Sequence, residues 1–493
     1  MDETTKVRKG QRGRLVLAVV TCSTLSACVS APPVRTADTA LPVSYTPTSG
    51  ALPAVALDRW WDLYRDPQLT QLVDQALSRG FDTREAFARL EEARAIRSGA
   101  LSQFGLQGSL SANAQVQRTE QITGGASVDV PGVDLGSLGG SSRTSTSAGV
   151  TLPVSWELDL FGRRGVTERT ANADLAAARF NYEGVRAATA AEVARALFQA
   201  RGLATQLEDA RATATIQRRL FDLLSRRADR GLAARSEADR VGADVAQAEA
   251  QATDLTAALD ASRRALLLLV GSGTRPIGAL AISPAVASPP QVPAAVPGDL
   301  LQRRPDVREA EARLRSATGN VRLAELDFFP RITLQPSLGL NYASGALGGL
   351  SAVAGLGAGL TAPIFDGARL RAQLGVSGAR AEQAVLAYER TVQGAYSEAD
   401  QALIRLVADR DRIARLERGV AAAQRAYDAA LKRFDLGFSD LQEVLDAERV
   451  ARAARTARTT ARVDALQRSV QAFQALGGGW DTRLPGSDIR GMR

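Results

Sequence analysis

The sequence contains no histidine, and its only cysteines are Cys22 and Cys28. Imidazole general bases, zinc sites built from His or Cys, and structural disulfides are excluded together, and neither metal nor cofactor is expected. Aromatic residues make up only 5%, too few for a thick globular core but compatible with long helices rich in Ala and Arg. A strong charge of one sign is also missing. Of the net +8, the first 27 residues contribute three, with Lys6, Arg8, Lys9, Arg12 and Arg14 set against Asp2 and Glu3. The remaining five positive charges, spread over so long a chain, leave no electrostatic footprint for nucleic acid.

What is present begins with a pattern of export. A basic stretch, a short apolar core from Leu15 to Val20 and small residues lead to Leu25-Ser26-Ala27-Cys28. The apolar core is too short to span a bilayer and reads as a signal peptide over 1–27. Leu-Ser-Ala-Cys resembles a bacterial lipobox, which implies cleavage before Cys28, a lipid such as palmitate on that residue, and, with Val29 rather than Asp following, delivery to the outer membrane. Residues 28–58 are rich in Pro, Thr, Ser and Ala without period, so a lipidated flexible tether is expected.

The rest is written twice. A shift of 206 residues superimposes Tyr182 on Tyr388, Glu192 on Glu398, Arg227 on Arg433, Gly231 on Gly437, Glu237 on Glu443 and Gly271 on Gly477 without a gap. Within the second copy, Ile413, Leu416, Val420, Ala423, Tyr427, Ala430 and Phe434 follow the 3-4 rhythm of a coiled-coil seam. A turn, Asp435-Leu436-Gly437-Phe438-Ser439-Asp440, separates them from Leu441, Val444, Leu445, Val463, Leu466, Val470 and Phe473 on a returning helix. Ahead of each helical hairpin the period changes to two. Leu106 to Val116, Ala148 to Trp156, Ile332 to Tyr342 and Leu356 to Ile364 each alternate apolar with small or polar residues, at the length of membrane-spanning β-strands.

The resulting expectation is a mainly helical chain with membrane β-strands, built from a duplicated helix-strand-strand-helix unit. The first repeat covers 59–271, with a helix over 67–104, strands over 106–117 and 147–157, and helices over 163–271. A proline-rich linker, 272–297, precedes the second repeat, 298–477, with a helix over 298–328, strands over 331–342 and 353–364, and helices over 367–477. Residues 478–493 form a tail. Four strands cannot close a barrel, and open edges in lipid leave backbone groups unsatisfied. Chains that insert these strands must therefore pool them. Catalysis would need a carboxylate pair in a cleft, whereas the acidic clusters fall on repeating helix surfaces, so no enzyme is expected.

At Trp60-Trp61 through Asp66-Pro67, Trp156-Glu157-Leu158-Asp159-Leu160-Phe161-Gly162-Arg163, Arg303-Arg304-Pro305-Asp306-Val307-Arg308, Phe329-Pro330 and Pro363-Ile364-Phe365-Asp366-Gly367, the chain resembles the outer-membrane efflux proteins. These are the TolC-like channels, and the resemblance is to their lipoprotein branch, the NodT-type partners of resistance-nodulation-division pumps. It implies a homotrimer whose pooled strands make a twelve-stranded barrel continued by an α-barrel across the periplasm. It implies a passive duct for small toxic compounds in tripartite efflux, working with a periplasmic membrane-fusion adaptor, a proton-driven inner-membrane resistance-nodulation-division transporter and outer-membrane lipid. A type I protein-secretion exit duct and a non-conducting structural lipoprotein are the alternatives. Glu443, Asp446 and Arg449, spaced by three on one helix face, match the family's gate, with Glu237 as the equivalent of Glu443 in a more basic tip. Gly231, Ser236, Gly437 and Ser439 mark the hairpin tips where an adaptor docks.

Overall fold

The computed structural model of the protein describes residues 33–45, 57–120, 143–292, 297–344 and 348–480. The expected signal peptide, Cys28, most of the Gly/Ser-rich strand connection and the end of the tail lie outside these residues. In chain order the elements are α1 (Pro67–Arg79), α2 (Phe81–Ser102), β1 (Gln107–Gly108), β2 (Ser111–Thr119), β3 (Arg143–Leu158), α3 (Arg163–Asp229), α4 (Arg235–Leu269), α5 (Leu300–Arg303), α6 (Pro305–Leu326), β4 (Arg331–Ala343), β5 (Gly349–Thr361), α7 (Gly367–Asp435) and α8 (Leu441–Ala475). They divide into two compact units. Of the described residues, one holds those within Arg94–Asp174 and Arg315–Gln383 together with 33–35; the other holds those within Thr36–Ala93, Leu175–Leu314 and 384–480.

The first unit is organised by an antiparallel sheet in which β3 pairs with β2 and β4, and β4 with β5. Register keeps the alternation in phase: Val150 faces Leu340 and Leu340 faces Ala352, while Gly149 faces Asn341 and Asn341 faces Ser351. From Ala148 to Trp156 on β3 and along β4 and β5 from Ile332 to Tyr342 and Leu350 to Leu360, one face is thus apolar, while the other is mostly hydroxyls, amides and glycines. The apolar face is uncovered, with Leu356 79% exposed. The outer edges of β2 and β5 have no strand partner among the described residues. The strands depart from expectation at their ends. The first is interrupted at Ser109-Leu110 and continues to Thr119, the second starts at Arg143, and the fourth starts at Gly349 and stops at Thr361, two residues before Pro363, whose missing N–H suits a strand end.

The strand-to-helix turn after β3 explains the Trp156–Arg163 motif. The Asp159 carboxylate accepts from the backbone N–H groups of Arg163 (2.7 Å) and Arg164 (3.0 Å), capping α3. Trp156 Nε1 donates to the Phe104 carbonyl at 3.2 Å, and the Arg163 guanidinium reaches Asp327 at 2.9 Å, which also receives Arg331 at 2.7 Å. Arg163 is thereby tied into a three-residue charge cluster beneath the sheet, while Arg164 serves through its backbone.

The second unit contains the main core. Trp60 and Trp61 are fully buried, Trp60 stacks on Phe473 with centroids 5.5 Å apart, and the Tyr64 and Ser469 hydroxyls share a hydrogen bond of 2.5 Å. Asp66 caps α1 by accepting from Gln68 and Leu69 N–H at 3.1 and 3.2 Å, and the Arg201 guanidinium holds its carboxylate. The single helix expected over 67–104 is two helices, because the chain turns out of helical geometry at Gly80 (ψ 143°) before α2. The second repeat breaks at the equivalent place, a shift of 224 away, where Pro305 cannot continue the helix begun by α5.

Each expected run of hairpin helix resolves into an outgoing and a returning helix. All four of these helices end alike: Gly231, Gly271, Gly437 and Gly477 have φ between 70° and 77°. In each case the glycine N–H and the one after it reach back to the last turn, as in Leu232 N to Arg227 O (2.8 Å) and Gly478 N to Phe473 O (2.9 Å). The two glycines distant from the tips also interlock with the helix breaks. A Cβ on Gly271 would lie 2.5 Å from the Arg79 carbonyl oxygen, and one on Gly477 2.8 Å from the Arg303 backbone. Polar rungs cross each hairpin. In the first, Arg218 on the outgoing helix donates to Glu249 at 2.7 Å; at the same repeat position in the second, Arg455 on the returning helix donates to Gln424 at 2.8 Å.

The N-terminal segment corrects the expectation of a flexible tether over its described part. Arg35 pairs with Glu382 at 2.7 Å within the first unit; within the second, the Asp38 N–H donates to Glu389 at 2.7 Å and Tyr45, buried, stacks on Tyr396 at 5.6 Å. A few apolar residues with two ion or hydrogen-bond contacts suffice to dock this irregular segment on α7.

Candidate functional site

The tips of the two hairpins sit together within the second unit. Leu224, Ala238 and Val241 of the first pack with Leu441 and Leu445 of the second. The Arg240 guanidinium donates to Gln442 Oε1 at 2.7 Å, and Arg227 lies over the Phe434 ring at 5.6 Å. Each tip is a tight turn in which the glycine supplies the left-handed residue. Beyond Gly231 the chain enters α4 through Ala234, without a side-chain cap. Beyond Gly437 it enters α8 through Asp440, whose carboxylate accepts from Glu443 N at 2.9 Å, while the Ser439 hydroxyl reaches the Ala430 carbonyl at 3.4 Å. Ser236, by contrast, is an exposed residue of the first turn of α4.

The three residues expected on one face do share the first turns of α8, and each acid has an arginine of its own chain. Glu443 receives Arg433 from across the hairpin at 2.8 Å, and Asp446 pairs with Arg449 one turn on. All four side chains are roughly half exposed or more, so these are screened surface pairs worth at most about 1 kcal/mol each. Glu237 is exposed in the first turn of α4 and makes no ion pair among the described residues. Three groups at the tips are not marked by helical spacing: Arg433 as the partner of Glu443, the Arg240–Gln442 link, and Glu448. Arg433 carried a signal, since the repeat aligns it with Arg227, and both reach across at the tips. Glu448 carried none: it is buried on α8 with one carboxylate oxygen lacking a hydrogen-bond partner among the described residues. Burial, followed by the proximity of Glu448, pushes the Tyr427 phenol above its usual range. Farther along the hairpin, burial raises Asp409 against the opposing pull of Arg468 and Arg412.

Nothing in the tips resembles a catalytic constellation; they are two pseudo-equivalent turns, one with a basic and one with an acidic collar. The family model for outer membrane efflux proteins matches residues 72–272 and 296–478, the two repeats. The chain belongs to the outer membrane efflux protein family. Membership places it in the outer membrane, among transport proteins. The pyoverdine export outer membrane protein OpmQ of Pseudomonas aeruginosa is 30% identical over 475 residues, covering 94% of this chain and 97% of the relative. The outer membrane protein OprJ of the same organism is 31% identical over 480 residues, covering 94% and 96%. Among solved structures, the outer-membrane channel OprN is similar with a TM-score of 0.76 and 29% identity over 92% of this chain and all of that one. The open state of the Neisseria gonorrhoeae MtrE outer membrane channel gives 0.75 and 25%, covering 92% and 99%. The mainly helical, duplicated architecture with four principal strands is that of these efflux channels. Among the described residues no helix is long and apolar enough to cross a membrane.

Proposed function

We propose that three copies of this chain pool their strands into one twelve-stranded barrel and their hairpins into a helical tube, forming the exit duct of a tripartite efflux pump. The supporting observation is the sheet: among the described residues its apolar face is uncovered and both of its outer edges, β2 and β5, lack a strand partner, leaving them to pair with other copies. The duct conducts small toxic compounds passively; an inner-membrane resistance-nodulation-division transporter supplies the energy and a periplasmic adaptor joins the two at the tips around Gly231, Ser236, Gly437 and Ser439. A lipid on Cys28 anchors the N-terminal segment. Asp446, Glu443 and Arg449, in three copies, ring the periplasmic end and hold it narrow, and Glu237 lines the neighbouring tip.

Planar-bilayer recording of the purified protein tests this. The wild type is expected to show low conductance, and Asp446→Ala a several-fold higher one together with greater cellular sensitivity to bulky antibiotics. Absence of conductance from both proteins would favour a non-conducting periplasmic spacer, and unchanged conductance in the variant would remove Asp446 from the gate.

A further inference from the structure

The two tips occupy equivalent places in the repeat and have matching backbones, yet their charges are opposite. Residues 226–240 carry five arginines against Asp229, Glu237 and Asp239, whereas the equivalent 432–446 carry Lys432 and Arg433 against Asp435, Asp440, Glu443 and Asp446. One tip is net positive by two and the other net negative by two. Each apex also presents apolar side chains to solvent at its glycine turn: Leu232 is 73% exposed, and Leu436 and Phe438 are 66% and 75% exposed. Leu232 and Phe438 are equivalent under the repeat, each donating its backbone N–H into the turn, so that its side chain stands outward beside the collar. Arg230 flanks the first knob with no side-chain partner among the described residues, and Asp435 flanks the second in the same way. Arg235, also at the first, is 80% exposed and holds Asp229 only loosely, at 3.4 Å.

We propose that the tips form two docking seats of opposite polarity for a periplasmic protein partner. The partner inserts an apolar apex residue flanked by carboxylates at the Leu232 seat, and an apolar apex flanked by lysine or arginine at the Phe438 seat. This rests on the reading of the tips as the adaptor-docking end. The apolar knobs supply contact area common to both seats, and the collars sort which apex goes where, because complementary charges at a rim govern orientation and encounter more than total affinity. A partner of one uniform charge would be attracted to one seat and repelled from the other.

Three synthetic helical-hairpin peptides test the sorting on the full-length protein in nanodiscs: a leucine apex flanked by two Glu, by two Lys or by two Gln, each with a photo-crosslinker. The acidic probe is expected to label the Leu232 tip and to lose about tenfold in affinity with Arg230→Glu/Arg235→Glu. The basic probe is expected to label the Phe438 tip and to lose as much with Asp435→Lys/Asp440→Asn, a pair that keeps the helix cap because Asn caps as well as Asp. Both should weaken between 50 and 300 mM salt, since the collars are exposed. Equal labelling of both tips by each probe, or affinity indifferent to salt, overturns the proposal. So does charge reversal that raises leak conductance while leaving probe binding intact, which would assign the collars to contacts between copies. A neutral probe that binds as tightly as the charged ones, and is lost with Leu232→Ser or Phe438→Ser, keeps tip docking and overturns only the sorting. Failure of all three probes to bind overturns both.

Discussion

The four glycines that end the hairpin helices separate two physical effects that usually occur together. All four hold nearly the same left-handed φ, so alanine at any of them incurs the same conformational cost, about 1 kcal/mol. Their surroundings differ. Gly231 and Gly437, at the tips, have nothing within 4 Å of an added Cβ, whereas Gly271 and Gly477 meet backbone at 2.5 and 2.8 Å. That backbone cannot retreat freely. The Arg303 carbonyl accepts Trp480 Nε1 at 2.7 Å, and the adjoining Arg304 is bonded to Asp306 and the Ala475 carbonyl. Overpacking of this kind adds about 1–3 kcal/mol, so Gly271→Ala and Gly477→Ala should cost about 2–4 kcal/mol in all. Thermal scans followed at 222 nm, at one scan rate and in one detergent, should place the apparent Tm of the two tip variants close together. The two interlock variants should fall at least twice as far below wild type. Four equal shifts, or a larger shift at the tips, would refute the claim that close approach rather than φ is what Gly271 and Gly477 chiefly provide.

Three further outcomes follow from the charges and the N-terminal segment. Arg433→Ala leaves the Glu443 carboxylate uncompensated, so the reversal potential in a KCl gradient should move toward that of potassium; an unchanged potential would place Glu443 away from the conduction path. Asp409 has its proton affinity raised by burial, so between the ordinary carboxylate pKa and its raised value the folded state binds more proton than the unfolded. Stability contributed by this group is therefore greatest in acid and declines as pH rises through that window. Asp409→Asn should flatten the dependence in melts from pH 3.5 to 6, and an unaltered slope would assign the dependence elsewhere. Tyr45→Ala should release the segment on α7 and speed tryptic cleavage at Arg35, at a cost of about 3 kcal/mol. Tyr45→Phe should be neutral, because the hydroxyl is buried without a partner among the described residues. Equal cleavage in both variants would show that the ring does not hold the segment.

Periodicity sufficed for the features that recur. The seam from Ile413 to Phe434 is half-buried to buried along its length, and the alternation from Ile332 to Tyr342 survives as β4 in register with both neighbours. Single events were less legible. The break at Gly80 lies inside an unbroken helical pattern, because one glycine in a helix is ordinarily tolerated; the helix end sits against Gly271, nearly two hundred residues away, a closeness no local pattern records. The docking of residues 33–45 was hidden because composition averages over Val34, Leu41 and Tyr45, the few side chains that pack on α7 or beside it. At the tips, helical spacing placed Glu443, Asp446 and Arg449 on one face, but Arg433 joins from the opposite helix, at a position only the hairpin turn brings near.

The rungs Arg218–Glu249 and Arg455–Gln424 bear on how a chain with two similar hairpins avoids exchanging their helices. The repeat sets Arg218 opposite the place of Glu249 in one hairpin and of Arg455 in the other. If an outgoing helix of the first kind were to zip against a returning helix of the second, two guanidinium groups would face each other, and Glu249 would be left without its arginine. The opposite polarity of the two rungs thus makes one of the two wrong pairings, Arg218 against Arg455, repulsive at the moment of pairing. That exchange of positions bears on which helices pair as well as on how firmly each hairpin is held.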